Sequence, residues 1–397
     1  MKYHFSRGLR DDDKQHLLAA LDCFDIVAYF ETSNGKKKLF GFGVKEQSQS
    51  PKELKGDIVF GGYAFDDQVI ANSKLMNGFW FIPSIFVAIN DGKIRFESDE
   101  ISDFDQWLMQ FLFSKQKAVT IRRTFEEKDW QSRTRDLINK LNNDAVLEKV
   151  VFGRQQQYAL SEKIKMSYLI QKMASQDNTY HVILKRHAEI FISATPERLV
   201  KITGGNLKTA AVAGTIRRGK TVHEDKKLGE YLLNSVKNKR EHQYVVNNIF
   251  QKLQGMTTNL NVPKQPILLK NKQMQHLYTP VTADVNTAYS IVDIMQRLHP
   301  TPALGGVPQI QALEYIKTHE QSPRGLFAAP IGYYTADNSG EFVVGIRSMY
   351  INQMVNTATL FAGAGIVSDS DATQEFQETS LKFKPMRQLL KGYTYDD

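Results

Sequence analysis

Closely spaced runs of β-favouring residues in the first quarter of the chain place the strongest limit on its fold. Between residues 25 and 97, clusters of Asn, Gly, Lys and Asp separate five such runs, which read DIVAYF, KLFGFGV, DIVFGGYAF, GFWFIPSIFVAI and KIRFE. Aromatic and β-branched residues suit a pleated, half-buried surface, and the polar clusters between them favour turns. This pattern predicts antiparallel sheet.

The rest of the 397-residue chain alternates between helical and strand patterns. Helices are predicted at DFDQWLMQFLFSK, at 126–141, after a Ser161 cap, around 223–254, 286–298 and 308–317, and from near Asp371. Strands are predicted at VLEKVVFGR, YHVILK, EIFISA, RLVKITG, NLKTAAV, LFAAPIGYY, EFVVGIRSMYI and TATLFAGAGI. Strands in runs with helices grouped between them indicate an α+β architecture. No repeat or Pro-, Gly- or Ser-rich linker divides the sequence, so we expect one intertwined domain over residues 1–397.

Targeting and membrane segments are not evident in the sequence. No stretch approaches the roughly 18 apolar residues of a membrane helix. The first residues, MKYHFSRGLRDDDK, contain no apolar region of a secretory signal. The single cysteine, Cys23, has no partner for an intrachain disulfide and suits a reducing compartment as a small core residue. We expect a cytoplasmic protein without a membrane partner.

The net charge of +8 makes an anionic partner worth considering. The densest basic run, KNKR within VKNKREHQYVV, is short and has no stacking aromatics interleaved with it. This makes a nucleic-acid groove a weak interpretation, and a small polyanionic substrate suits the charge equally well. A nucleic-acid-binding protein stays open as the alternative class, and strong salt-dependent binding would support it.

Five segments combine charged residues or glycines with strand-like surroundings. They are KVVFGR; SATPERL; TAAVAGT with REHQYVV; LHPTPALGGVP; and GIRSMY with FAGAGIVSDSDATQEFQETSLK. Together they resemble the chorismate-utilising enzymes, which include isochorismate, salicylate, anthranilate and aminodeoxychorismate synthases. The resemblance runs in consistent order over a catalytic core at residues 145–385, whereas residues 1–120 match only in overall character. It implies a large two-lobed domain with antiparallel sheets packed as a β-sandwich and helices outside.

Two residues are candidates for proton transfer. Strand alternation places Lys149 on one face with the apolar Leu147 and Val151, which by itself is also typical of a lysine protecting a strand edge. Glu197 follows Pro196 at a strand start and by itself would be read as solvated. The resemblance implies that Lys149 is the general base and Glu197 the general acid. A glutamic acid in that role needs a pKa raised by desolvation.

Three carboxylates are candidates for a metal site. Glu375 and Glu378 share a face of the closing helix, where like charges repel unless a cation or Lys382 compensates them. Glu241 belongs to an earlier helical pattern. The resemblance implies that these three glutamates are ligands of Mg²⁺, which takes oxygen donors and keeps several waters. A carboxylate of the substrate would complete the shell.

The remaining candidates concern substrate binding. The guanidinium of Arg347 suits bidentate contact with a carboxylate, although an interior ion pair explains such an arginine equally well. The resemblance assigns Arg347 to the enolpyruvyl carboxylate of chorismate. It also implies that six further residues line the pocket, although the same residues are also typical of purely structural positions. They are Gly214, Thr215, His276, Ala303, Gly363 and Gly365.

The branch of the family follows from segment details. The runs AAVAGT and REHQYVVNNIF lack the signatures of the aminating members, so no glutaminase subunit is expected. Ala211 and Ala303 stand where salicylate-forming members carry proline and threonine. The resemblance thus implies an isomerase that forms isochorismate, with Lys149 activating water for attack at carbon 2 while Glu197 protonates the hydroxyl leaving carbon 4. A salicylate synthase, which also eliminates pyruvate, is the alternative.

Four departures from the family pattern lie near these segments and leave loop geometry open, without removing a catalytic group. They are Ile216, Arg217, Phe327 and Ala372. Use of the product in menaquinone, siderophore or salicylate formation would depend on neighbouring enzymes.

Overall fold

Two antiparallel sheets organise the molecule in a computed structural model that describes residues 2–271 and 274–390. Numbered along the chain, the first sheet consists of β1 (Tyr3–Gly8), β2 (Ile26–Glu31), β3 (Lys37–Phe42), β7 (Ile85–Asn90), β8 (Lys93–Ser98), β9 (Ile121–Glu126), β10 (Lys149–Leu160), β11 (Tyr180–Arg186), β12 (Glu189–Thr195), β18 (Gly306–Val307), β21 (Ser348–Asn352) and β22 (Thr357–Val367). Its pairing order is β1-β8-β7-β3-β2-β11-β12-β21-β22-β10-β18, and β9 also pairs with β10.

The second sheet consists of β4 (Glu46–Ser48), β5 (Ile58–Gly62), β6 (Phe79–Ile82), β13 (Arg198–Thr203), β14 (Asn206–Arg217), β15 (Thr257–Asn261), β16 (Ile267–Lys270), β17 (Met274–Val285), β19 (Pro330–Thr335) and β20 (Gly340–Val344). Its pairing order is β15-β17-β14-β13-β20-β19-β5-β6-β4, with β16 beside β17. The helices are α1 (Asp13–Cys23), α2 (Phe104–Leu108), α3 (Trp130–Asn143), α4 (Met166–Met173), α5 (Val222–Asn234), α6 (Val236–Leu253), α7 (Ile291–Leu298), α8 (Gln309–His319) and α9 (Ala372–Leu389).

The main core lies between the two sheets. Phe30 and Phe152 of the first sheet belong to the same buried cluster as Val200 and Phe342 of the second. The alternate residues of the first sheet, such as Tyr29, join a second cluster with apolar residues of α1, α2, α4 and α9. Central strands of the first sheet, such as β2 and β12, are thus buried on both faces. The predicted α+β sandwich is confirmed.

Early and late parts of the chain pair with each other in both sheets. In the first sheet β2 pairs with β11, and in the second β5 pairs with β19. Residues 1–120 therefore share their sheets with later strands. In the described part of the chain, no helix is long and apolar enough to cross a membrane.

Two predicted strands are each divided between the sheets. The run GFWFIPSIFVAI gives β6 in the second sheet and β7 in the first, with Pro83 between them. The run EFVVGIRSMYI gives β20 in the second sheet and β21 in the first. Both sheets bury residues in the same core, so the apolar pattern continues across the change of sheet and hides it from the sequence.

Several predicted helix boundaries were wrong. Helix α2 ends at Leu108, and the helix predicted at 126–141 begins only at Trp130, because residues up to Glu126 pair with β10 as β9. Ser161 does not cap a helix; its Oγ accepts from the amide of Thr120, 2.8 Å away, and α4 starts at Met166. The strand predicted at LFAAPIGYY begins only at β19. Tertiary pairing outweighed local propensity in these segments. The closing helix does begin beyond Asp371, which caps α9.

A close backbone contact joins β18 to the start of β10. Gly306 pairs with Val150 and has a φ of +147°. A Cβ at Gly306 would lie 2.1 Å from the Lys149 carbonyl oxygen and 2.6 Å from the Ala312 Cβ. Glycine is therefore required there both by backbone conformation and by space.

We expect Gly306→Ala to lower the free energy of unfolding by about 1–3 kcal/mol, because the methyl group forces β18 away from β10. Urea unfolding followed by circular dichroism measures the change. Gly305→Ala is the matched control, since its Cβ would meet its nearest neighbour, Leu313 Cδ2, at an ordinary 3.4 Å. The control should stay within about 0.5 kcal/mol of the unsubstituted protein. Equal effects of the two substitutions would contradict this account.

Candidate active site

Two neighbouring strands change sheet side by side, and their crossings bring Glu197 and Arg347 together. Pro196 and Glu197 join β12 to β13, while residues 345–347 join β20 to β21. The strands pair on both sides of the change, with Ser193 opposite Ser348 and Arg198 opposite Val343. The Val344 amide donates to the Glu197 carbonyl at 3.0 Å, and the Ala194 amide donates to the Arg347 carbonyl at 3.1 Å.

The backbone at Arg347 is in the left-handed region, with a φ of +49°. A bulky residue rarely adopts this conformation outside functional or tightly packed positions. Here it interrupts the alternation of the strand, and the Arg347 side chain lines a cavity of about 150 Å³. Nearly all predicted site residues line the same cavity: Glu197, Gly214, Thr215, Glu241, His276, Ala303, Arg347, Gly363, Gly365, Glu375 and Glu378.

Lys149 lies just behind the cavity wall. Its side chain is only 1% exposed, and Nζ donates to Glu241 Oε1 at 2.8 Å. Gly365 leaves the room for it, because a Cβ there would lie 2.8 Å from Lys149 Cε. The sequence placed Lys149 among apolar neighbours on one strand face, but the structure shows a carboxylate partner from α6. The pairing also sets the Glu241 charge: burial raises the pKa of this carboxyl, and the Lys149 ammonium outweighs burial and holds the pKa below its ordinary value.

Glu197 has the environment that a general acid requires. Burial raises the pKa of its carboxyl to about 7, against the opposing charges of Arg347, Lys382 and Lys149. At neutral pH a large fraction of this carboxyl carries a proton that it can donate into the cavity. The charges of the three cations lower this pKa by less than burial raises it.

Glu375 and Glu378 project from the first turns of α9. Burial, and then the charge of Glu378, raise the pKa of Glu375 to about 7, and Ser370 donates to its Oε1 at 2.9 Å. Lys382 compensates Glu378, with Nζ 2.6 Å from Oε1. The same ammonium donates to the Gly363 carbonyl at 2.7 Å. The predicted compensation of Glu378 by Lys382 is therefore present.

The carboxylates of the cavity suit Mg²⁺ in their chemistry. Glu241, Glu375 and Glu378 offer oxygen donors only, and Glu375 tends to hold a proton where a cation would relieve its desolvated charge. Among the residues that the structure describes, no three acidic, histidine or cysteine side chains lie close enough to hold a metal by themselves. The fit is that of Mg²⁺ held by one or two carboxylates with waters and a substrate oxygen.

Arg347 and His276 also line the cavity. Burial lowers the pKa of Arg347 to about 10, with Glu378 and Glu197 opposing. Burial, followed by the charges of Arg347 and Lys382, lowers the pKa of His276 to about 3, so this imidazole is neutral. A β-bulge at Gly214, with a φ of +76°, places Thr215 opposite His276 across β14 and β17.

Other cavity residues were not among the predicted site residues. They are Val151, Pro196, Val212, Ala213, Lys237, Asn238, Leu304, Arg324, Phe327, Ala328, Ile346, Phe361, Ala362 and Lys382. Lys237 and Asn238 belong to the KNKR run, which sits at the start of α6 rather than in a nucleic-acid groove pattern, and Lys382 was visible only through its spacing from Glu378. Arg324 had no sequence signal. Conversely, Ala211 lies buried in the main core and does not line the cavity.

A larger cavity of about 930 Å³ lies elsewhere, between β5, β6 and the start of α7. None of the predicted site residues lines it. Three of the lysines that line it are engaged in surface ion pairs, which contribute little energy: Lys2 with Asp57 and Glu97, Lys45 with Asp99, and Lys52 with Asp293. The smaller cavity, which is lined by the perturbed carboxyls and by Glu241, the partner of the buried Lys149, is the candidate active site.

A sandwich that buries several ionisable groups around one cavity is typical of an enzyme. The family model described as "Chorismate binding enzyme" matches residues 31–391. The chain belongs to this family of chorismate binding enzymes, and the resemblance inferred from the five segments is confirmed.

Relatives within the family carry one activity in their names. Isochorismate synthase MenF of Bacillus subtilis is 31% identical over 375 residues, 89% of this chain and 79% of the relative. The salicylate biosynthesis isochorismate synthase of Pseudomonas aeruginosa is 38% identical over 268 residues, 67% of this chain and 56% of the relative. The structure of MenF, the menaquinone-specific isochorismate synthase of Escherichia coli, superposes with a TM-score of 0.85 at 25% identity, over 98% of this chain and 95% of that one.

The raised pKa of Glu197 predicts a pH-dependent stability difference. The pKa of Glu197 is about 7 in the folded protein, compared with the ordinary value of 4.5 in the unfolded chain. Ionisation therefore destabilises the folded state increasingly as the pH rises from about 4.5, and the effect is complete above about pH 7. We expect Glu197→Gln to be more stable than the unsubstituted protein by about 3 kcal/mol at pH 8 and by about 1 kcal/mol at pH 5. Urea unfolding at both pH values measures this.

The exposed Glu162 provides the control, since Glu162→Gln should show no such change between pH 5 and pH 8. A Glu197→Gln difference that is the same at both pH values would mean that Glu197 is not desolvated in the folded protein.

Proposed function

We propose that this chain is an isochorismate synthase, which isomerises chorismate to isochorismate. The observation that carries the proposal is a buried carboxyl with a pKa near 7, Glu197, facing the same cavity as the cationic Arg347 and the Lys149–Glu241 pair. Chorismate is a dicarboxylate with a ring hydroxyl to be exchanged, so it needs a cationic wall and a proton donor. The relatives named isochorismate synthase support the same assignment.

In the proposed reaction a hydroxyl is added at one ring carbon and lost from another, and the ring double bonds shift. Lys149, in its neutral amine form, takes a proton from a water molecule, whose oxygen forms a bond to ring carbon 2. The ring electrons shift, the bond from carbon 4 to its hydroxyl breaks, and Glu197 donates its proton so that the hydroxyl leaves as water. Atoms balance, because one water enters and one leaves. No covalent intermediate with the protein is required.

Each cavity wall has a proposed task in binding. Arg347 binds the enolpyruvyl carboxylate through its guanidinium, and Gly363 and Gly365 let backbone approach the substrate closely. Glu241, Glu375 and Glu378 would hold Mg²⁺, with Glu241 and Glu378 the stronger candidates. Bound there, the cation would supply positive charge for the ring carboxylate. If Glu241 turned toward the cation it would release Lys149, which the proposed base role requires.

The proposed domain organisation agrees with the location of the cavity. Every residue that lines it falls between 151 and 382. This supports a catalytic core at 145–385 within a single domain of residues 1–397. We place the protein in the cytoplasm on the sequence expectation alone, and the product could enter menaquinone or siderophore formation.

Release of isochorismate rather than salicylate is proposed from Ala303. This residue lines the cavity beside Leu304, where threonine would add a hydroxyl and a methyl. Pyruvate elimination needs the hydrogen at ring carbon 2 to reach the enolpyruvyl group, and so a restricted side-chain conformer. Alanine cannot restrict it by hydrogen bonding. Ala211, remote from the cavity, has no direct part in this selection.

We expect purified protein with chorismate and Mg²⁺ to yield isochorismate, identified by chromatography against standards. EDTA should abolish turnover and added Mg²⁺ should restore it.

Lys149→Ala should lower kcat by on the order of a hundredfold to ten-thousandfold, because the water loses its base. The exposed Lys384→Ala, on α9, is the matched control and should retain activity. No consumption of chorismate with Mg²⁺ present would exclude the proposed function, and near-normal Lys149→Ala activity would exclude the base role.

Product choice gives a separate prediction. The unsubstituted protein should release at most trace pyruvate at neutral pH in a lactate dehydrogenase-coupled assay. Ala303→Thr should raise the ratio of pyruvate to isochorismate without abolishing chorismate consumption, because the added hydroxyl can hold the enolpyruvyl group. Ala303→Ser, which adds the hydroxyl without the methyl, separates the two contributions. Pyruvate forming in step with chorismate loss in the unsubstituted protein would replace this proposal with a salicylate synthase.

A further inference from the structure

Asn271 contacts the back of the active-site histidine from outside the cavity. It follows β16 directly, is buried, and does not line the cavity. Its Nδ2 lies 3.3 Å from His276 Nε2. On the other side of the ring, His276 Nδ1 lies 2.9 Å from Thr215 Oγ1, and both Thr215 and His276 line the cavity.

The orientation of the Asn271 amide is determined by the backbone. Its side-chain Oδ1 accepts a hydrogen bond from the Met274 backbone amide at 2.8 Å. The Asn271 backbone amide donates to the Met274 carbonyl at 3.0 Å. A rotated side-chain amide would place its NH₂ group against the Met274 N–H, two donors with no acceptor. Nδ2 therefore faces His276 and can only donate to it.

A donor at Nε2 decides which nitrogen of His276 carries the proton. Burial beside Arg347 and Lys382 keeps the imidazole neutral, with one proton for two nitrogens. Nε2 must be the unprotonated nitrogen because it accepts from Asn271, so the proton is on Nδ1. Nδ1–H then donates to Thr215 Oγ1, whose own hydrogen is directed elsewhere. Within residues 2–271 and 274–390, no protein acceptor for that hydrogen is found.

We propose that Asn271 is a positioning residue that fixes the His276 tautomer and thereby makes the Thr215 hydroxyl a hydrogen-bond donor to an anionic oxygen of the substrate. The oxygen is a carboxylate oxygen, because Thr215 and His276 line the same cavity as Arg347 and Lys382, whose charges both act on His276. With the proton on Nε2 instead, Nδ1 would accept from Thr215, and the hydroxyl would present only lone pairs to that carboxylate. The substrate part of this inference rests on the proposed function, whereas the tautomer does not.

The tautomer is measured first, on the unsubstituted protein without substrate. Long-range proton–nitrogen NMR of protein labelled with ¹⁵N-histidine distinguishes a protonated from an unprotonated ring nitrogen, and His276→Gln identifies the His276 signals by their loss. We expect a neutral ring with its proton on Nδ1. A proton on Nε2 in the unsubstituted protein would overturn the inference. Asn271→Asp keeps the Oδ1 acceptor for Met274 but replaces the donor by a carboxylate oxygen, so Nε2 should become protonated.

Kinetics then test whether Asn271 acts through Thr215. Asn271→Asp and Thr215→Val should each lower kcat/KM for chorismate by on the order of tenfold to a hundredfold, the usual worth of a hydrogen bond to a charged group. In the Thr215→Val background, Asn271→Asp should change kcat/KM by less than about twofold, because the hydroxyl it controls is gone. If the two losses of kcat/KM multiply in the double variant, Asn271 does not act through Thr215 and the inference is overturned. Asn143→Asp, on the exposed end of α3, is the matched control and should leave kcat/KM unchanged.

The two proposals fail in different ways. If the protein does not convert chorismate but His276 carries its proton on Nδ1, the proposed function is rejected and the positioning by Asn271 is retained. Conversion of chorismate by a protein whose His276 proton is on Nε2 would retain the function and reject the positioning.

Discussion

The sharing of strands between two sheets is the constraint on which the rest of this structure depends. Because β12 continues into β13 and β21 follows β20, a single paired ribbon belongs to the first sheet at one end and to the second at the other. The backbone must bend where the ribbon changes sheet, and Glu197 and Arg347 occupy that bend. Residues of both sheets are buried in the core between them, so Glu197 and Arg347 are held by short connections between paired strands rather than by long loops.

Burial and charge compensation are balanced unequally around the cavity. Lys149 with Glu241 and Lys382 with Glu378 are closely paired, whereas Glu197 and Glu375 are desolvated enough that the pKa of each rises to about 7. The cavity thus combines charged groups, fit to bind an anion or a cation, with carboxyls that exchange protons near neutrality. That separation of pKa values among chemically identical side chains is how one site supplies both electrostatic and proton-transfer groups.

The family membership and the cavity chemistry lead to the same proposal from independent directions. The relatives give the name of a reaction, and the cavity supplies a proton donor, a buried lysine, an oxygen-only carboxylate set and a cationic wall. Neither source includes Asn271. The role proposed for Asn271 follows from the direction of its side-chain amide. That direction fixes the proton of His276, and the His276 proton fixes the direction of the Thr215 hydroxyl.

The sequence alone determined the class of fold and the family, and nearly all of the site residues that it singled out do line the cavity, because motif residues such as Glu197, Gly365 and Glu378 are recognisable wherever the chain places them. It did not reveal that β20 and β21 are separate strands, since a shared core gives both the same apolar alternation. It misjudged the surroundings of Lys149, whose partner Glu241 is 92 positions away, and it gave no signal for Asn271. Partners, tautomers and pKa values depend on distances between groups far apart in sequence, and only tertiary packing sets those distances.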